Sequence, residues 1–193
     1  MRARAARPQI ETQLVWQPFR LNPELPPEGI NRKIYLRTKF GDAARLEAVD
    51  AALEESGRRE NIRFAFPKLK RVPNTLHAHR LMRWAGAANG TALAEAIFST
   101  YFEQGRDIGD AGVLAQCAAD AGLDADAART FLASDAEKTM VISMDETARE
   151  SGITGVPYFI FDRRYALAGA QEPSAFLPIF DILASDGMLV SPA

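Results

Sequence analysis

The chain has 193 residues, 47% hydrophobic and 25% charged. That is the balance of an ordinary globular protein, with enough chain for one domain carrying a subdomain insertion around a sizeable core. A net charge of −2 gives no electrostatic footprint for nucleic acid or an anionic membrane, so neither is expected as a partner. No apolar run approaches the roughly 20 residues of a membrane helix, and Arg2, Arg4 and Arg7 lead into no apolar signal core, which makes the cytoplasm the expected location.

Residues 9–19 alternate loosely through Ile10, Leu14, Val15 and Trp16 and predict a strand ended by Pro18. Residues 22–29 hold three prolines and a glycine, the composition of a loop. A helical series follows. Asn31 to Phe40 predicts a short helix closed by Gly41. Asp42 can cap a second, running to about Ser56 with Gly57 as its stop. Ile62 to Phe66 alternate and should be extended. Asn74 or Thr75 caps a helix through about Ala88, burying Leu76, Leu81, Trp84, Ala85 and Ala88. Thr91 starts another, with Leu93, Ile97 and Tyr101 beside Ala94, Phe98 and Phe102. Asp110–Ala121, Asp124–Ala133 and Asp135–Glu150 are three more. Trp16, Trp84 and the phenylalanines read as core residues.

The most informative stretch is Gly152-Ile-Thr-Gly-Val-Pro-Tyr-Phe-Ile-Phe-Asp162. Two glycines precede an apolar, aromatic-rich run that stops at Asp162, which predicts a buried strand. Pro157 has no N–H for a sheet ladder and belongs at that strand's beginning; from the residues alone its peptide bond is expected trans. Arg163 to Leu167 should form the antiparallel hairpin partner. Pro173 opens a closing helix through Leu183, and Pro178 should kink or restart it.

Thr154-Gly155-Val156-Pro157, followed by Tyr165-Ala-Leu-Ala-Gly-Ala-Gln171 and a closing helix, resembles the cis-proline loop of the thioredoxin superfamily. Within it, the pattern looks like the DsbA-like group that contains the FrnE-type dithiol oxidoreductases and the 2-hydroxychromene-2-carboxylate isomerases. Trp16 to Gly29 resembles the segment that leaves the thioredoxin core of FrnE-type proteins for an all-helical insertion. The resemblance implies an α/β, thioredoxin-like fold, with a core from 1–24 and 152–193 and a helical insertion at 25–151. It also implies a cis Val156–Pro157 bond, with Thr154, Gly155, Val156 and Pro157 holding a peptide or glutathione through the Val156 backbone.

A second match, Pro73-Asn-Thr-Leu-His-Ala-His-Arg-Leu-Met-Arg-Trp-Ala85, resembles a motif in the helical domain of these families. There the helix start faces the active-site cleft, which would make Asn74 and Arg80 substrate-binding residues. A helix N-terminus offers free N–H groups and positive potential to a thiolate or carboxylate. Read without the resemblance, Asn74 is a simple cap and Arg80 a solvated charge. His77 and His79 point roughly 200° apart on a helix, so they cannot both face one site, and one of them should be exposed.

Family members open with a strand, a Cys-Pro-Trp-Cys or substitute motif and a helix. Here only eight residues precede the strand expected at 9–19. The resemblance therefore implies that the first βα unit is missing and that this polypeptide is inactive in exchange. A truncated or mis-started chain and a degenerate paralogue both fit. Cys117 is the one cysteine, so neither an intramolecular disulfide nor a Cys-x-x-Cys forms within these residues. On its apolar helix face it reads as a small core hydrophobe. With two histidines and one cysteine, no dense metal-ligand cluster is visible.

Three functions follow as expectations. The first is a thiol–disulfide oxidoreductase or isomerase acting on a thiol or disulfide peptide. The second is a glutathione-dependent isomerase or transferase, glutathione being the one cofactor candidate. The third is a non-catalytic peptide-binding remnant. The oligomeric state is open, and a dimer is compatible.

Overall fold

A computed structural model describes residues 2–41 and 43–185. They fall into two compact units: the described residues between 16 and 145, and residues 2–15 with 146–185.

The larger unit is helical. A short antiparallel pair, β1 (Ile30–Asn31) and β2 (Arg71–Val72), joins Ile30 to Val72 and Asn31 to Arg71. Helix α2 (Arg32–Phe40) begins as its sequence predicts: the Asn31 side chain accepts from the backbone N–H of Lys33 and of Ile34, and Gly41 ends it at φ 73°. The capping role given to Asp42 lies outside the described residues. Helix α3 (Ala43–Arg59) runs through Gly57 rather than stopping there. A Cβ at Gly57 would meet the Phe64 ring at 2.7 Å. This glycine admits a neighbouring ring instead of terminating the helix. Phe64 in turn stacks on Phe66 at 4.9 Å.

Helix α4 (Leu76–Phe98) covers both helices expected between 74 and 102, with the break at Gly86 (φ 68°, ψ −179°). A π turn, Ser99–Glu103, follows it. The next two helices, α5 (Ala111–Asp120) and α6 (Ala125–Ala133), begin as predicted. Asp110 accepts from the Val113 N–H, and Asp124 from those of Asp126 and Ala127. Each such cap satisfies donors that the helix cannot. Helix α7 (Lys138–Glu150) starts three residues later than expected, after Glu137 at φ 63°. Leu81, Leu93, Leu114, Cys117 and Ala128 form the fully enclosed centre of this unit. Two aromatics expected in the core are not there: Trp16 is 40% and Phe98 52% exposed.

The smaller unit begins with α1 (Arg2–Ala5) and contains a two-stranded antiparallel ribbon, β3 (Tyr158–Phe161) and β4 (Tyr165–Ala168), in register Tyr158↔Ala168 to Phe161↔Tyr165. Asp162 and Arg163 turn the hairpin at φ 48° and 56°, the left-handed region that such tight turns require. A 3₁₀ turn, Pro173–Phe176, passes into α8 (Leu177–Ser185) next to Pro178, where the sequence predicts a restart.

Strand periodicity decides what the ribbon buries. Phe159 and Phe161 share a face, and their rings meet Phe176 at 4.9 and 6.0 Å and, from Phe161, Phe180 at 5.9 Å. Ile160, on the other face, is 58% exposed. The strand expected to be buried is therefore covered on one side. Residues 11–20 form no strand. A strand exists only through a ladder, and among the described residues none pairs with this segment. No helix of the described residues is long and apolar enough to cross a membrane.

Candidate functional site

The Thr154–Pro157 loop begins where α7 ends. Gly152, at φ 84°, donates to the Arg149 carbonyl, and Ile153 to that of Ala148. These bonds close the helix C-terminus through a residue in the left-handed region. Thr154 and Pro157 are exposed, and Val156 is 47% exposed. The Val156–Pro157 bond is cis. The Pro157 carbonyl accepts from the Gly169 N–H at 2.8 Å and so seals the ribbon's open end. The ladder begins only at Tyr158, paired with Ala168. Val156 is therefore left just outside it, with no backbone hydrogen bond among the described residues. Such a backbone edge can receive an extended chain without rearranging.

In the larger unit, Asn74 is occupied at both ends. Its Oδ1 accepts from the Leu76 N–H at 3.0 Å, and its Nδ2 donates to the Leu25 carbonyl at 2.6 Å. Thr75, the alternative cap, makes no side-chain cap bond. Asn74 thus starts α4 and ties the 22–29 loop to it.

Arg80 lies neither in solvent nor at a cleft: it is 1% exposed. Its Nε donates to the Ala136 carbonyl at 2.7 Å, and its Nη atoms to those of Leu132, Phe131 and Ser134. These are carbonyls at and just past the end of α6, where a cation meets both unsatisfied acceptors and the negative end of the helix dipole. The guanidinium also lies 5.2 Å from the Phe131 ring centre. Its work is to close a helix end within the core, a role invisible in a sequence where the partners lie some fifty residues away.

Neither histidine is fully exposed. His77 Nδ1 lies 2.9 Å from Arg80 Nη1. Arginine can only donate, so this nitrogen is the acceptor of a neutral ring. Burial, then the Arg80 charge, lowers the His77 pKa. His79 is pushed down to about 4, burial outweighing the opposing pull of Asp145.

Asp145 was not singled out by its sequence context, yet it is 1% exposed. It accepts from the Arg20 N–H at 2.8 Å and pairs with the Arg20 guanidinium at 3.3 Å. The one available signal was its place a turn beyond Val141 on the inward face of α7.

Cys117 is fully buried, and its Sγ lies 3.4 Å from Thr100 Oγ1. Burial raises its pKa, which keeps it as a thiol and removes the thiolate that exchange needs. No group of three or more His, Cys, Asp or Glu side chains could hold a metal among the described residues.

The model of the DSBA-like thioredoxin domain family matches residues 1–179. No curated protein matches the chain significantly. Among solved structures, the crystal structure of a probable DsbA oxidoreductase from Streptomyces coelicolor is similar, with a TM-score of 0.76 and 27% identity. The match covers 91% of this chain and 75% of that one.

Proposed function

Because the chain belongs to the DSBA-like thioredoxin domain family, we propose that Thr154–Pro157 is the substrate loop of a thiol–disulfide oxidoreductase-type protein, and that these residues bind an extended thiol or disulfide peptide without exchanging disulfides. The observation that carries this reading is Val156, nearly half exposed at the head of β3 with its backbone outside the ladder. A peptide laid there hydrogen-bonds the main chain, which gives affinity with little dependence on side-chain sequence. Exchange needs an accessible thiolate attacking a disulfide sulfur. The one cysteine of these 193 residues is fully buried.

Within the family we assign the chain to the FrnE-type subgroup. The proline-rich stretch 22–29 and the Tyr165–Gln171 segment support that placement. They weigh against the glutathione-dependent isomerases. Asn74 acts from the helical unit as a support of the 22–29 loop, through its bond to Leu25.

Two measurements on the 193-residue chain test the reading. Titration calorimetry with an unfolded, S-alkylated cysteine peptide should give saturable binding, whereas a flat titration contradicts it. Dithiothreitol-dependent insulin reduction should stay at background. Robust turnover that disappears in Cys117→Ser would overturn the non-exchanging assignment.

A further inference from the structure

The helical unit carries a concave surface that the proposed substrate loop does not include. It is an open groove of about 620 Å³ between residues 67–71 and the loop 104–107. Its walls are brought together by Gly105 (φ 76°), where a Cβ would fall 2.4 Å from the Lys68 Cβ. Only a glycine backbone fits against that wall. The loop leaves α4 through the π turn, where the Tyr101 hydroxyl donates to the Arg71 carbonyl at 3.1 Å. Such π turns are rare and are frequently found at functional sites. Leu69 is buried and Tyr101 half-buried, and both line the groove.

The charge around this groove is one-sided although the whole chain is slightly acidic. The one carboxylate in its lining, Asp107, faces Arg71 at 3.5 Å and also accepts from the Gly109 N–H. Arg71 is further held by the Glu28 and Gly29 carbonyls. These two charges answer each other. Lys68, Lys70 and Arg106 remain, all exposed and in no ion pair among the described residues. Three unanswered cations in the lining of a largely apolar cleft focus positive potential on it. Its volume lies within the range that holds a small organic molecule.

We propose that this groove binds a small organic anion carrying a di- or polyphosphate, its phosphates on Lys68, Lys70 and Arg106 and its body over Leu69 and Tyr101. Lysine meets phosphate as a point charge and arginine as a planar fork, so the set suits a flexible phosphate chain. The assignment stands within the helical unit and does not depend on the substrate loop.

Calorimetric titration of the full chain with ADP and with inorganic pyrophosphate tests it. ADP should bind one to one and weaken several-fold as salt is raised, as expected of exposed ionic contacts. The triple variant K68A/K70A/R106A should lose more than about tenfold in ADP affinity, while K33A/R37A/R63A, which removes as much charge elsewhere, changes it less than about twofold. The replaced side chains are exposed, and an unchanged thermal midpoint verifies that the fold is kept. Pyrophosphate should bind at least about fivefold more weakly than ADP, because it cannot cover the apolar lining. No ADP binding, or equal losses in both triple variants, would overturn the site. Equal affinities for ADP and pyrophosphate would overturn the assignment of an organic body to the Leu69–Tyr101 surface.

Discussion

The two compact units bury their apolar side chains differently. In the helical unit Leu81, Leu93, Leu114 and Val141 have no exposed surface. Its interior also holds Arg80, Thr100 and Asp145, the buried polar residues among those described. Such groups are tolerated because each has partners: four carbonyls around Arg80, Cys117 beside Thr100, Arg20 on Asp145. The ribbon of β3 and β4 covers only the face carrying Phe159 and Phe161, and leaves Ile160 and the Val156 backbone outside. An enclosed core stabilises, whereas a half-covered ribbon presents an edge to a ligand. The scaffold and the loop that we propose as the substrate loop thus make opposite demands on burial.

Core truncation in the helical unit should have the largest effect. Leu114→Ala removes a fully buried side chain from the central cluster and should cost about 3 kcal/mol, within the usual span for leucine cavities; chemical denaturation checks it, and a loss below about 1 kcal/mol would mean that the core is not close-packed.

Acid acts next. Above pH of about 6.5 His79 is neutral whether the chain is folded or not, and it adds no pH dependence. Between there and its folded value of about 4, the unfolded chain binds a proton that the folded one refuses. Stability should therefore fall as the pH drops through this window, by up to about 3 kcal/mol, and level off below it. His79→Gln should flatten that part of the denaturation profile, and an unchanged slope would show that the ring protonates freely in the folded state.

Helix caps come third. Asp124→Ala leaves the N–H groups of Asp126 and Ala127 without their acceptor, which should lower stability by about 1 kcal/mol. The smallest effect belongs to the ribbon: Ile160→Thr, on its exposed face, should change stability by less than about 0.5 kcal/mol. A larger loss would mean that this face is covered in solution and would narrow the contrast between the units.

The parts of the molecule readable from sequence are those set by neighbours in the chain. Asn31, Asp110 and Asp124 cap their helices through bonds two or three residues long. The β3–β4 hairpin and the restart near Pro178 are equally local. What the sequence hid depends on distant partners. Residues 9–19 have the alternation of a strand, but pairing decides whether a strand exists. Gly57 looks like a helix stop until the Phe64 ring arrives against it. Arg80 looks like a surface or ligand-binding charge because the carbonyls that hold it come from the far end of α6. In the same way, the cationic groove joins residues 67–71 to 104–107 across a gap that no local pattern spans.

The central claim, that Val156 receives substrate through its main chain, is tested most directly by comparing Val156→Ala with Val156→Pro in calorimetric titrations of the S-alkylated peptide. The first keeps the backbone N–H and should bind within about twofold of the parent; the second removes that donor and should weaken binding by more than about tenfold, with a near-parental thermal midpoint. Equal binding by the two variants, or loss in the alanine variant alone, would contradict main-chain recognition at this loop.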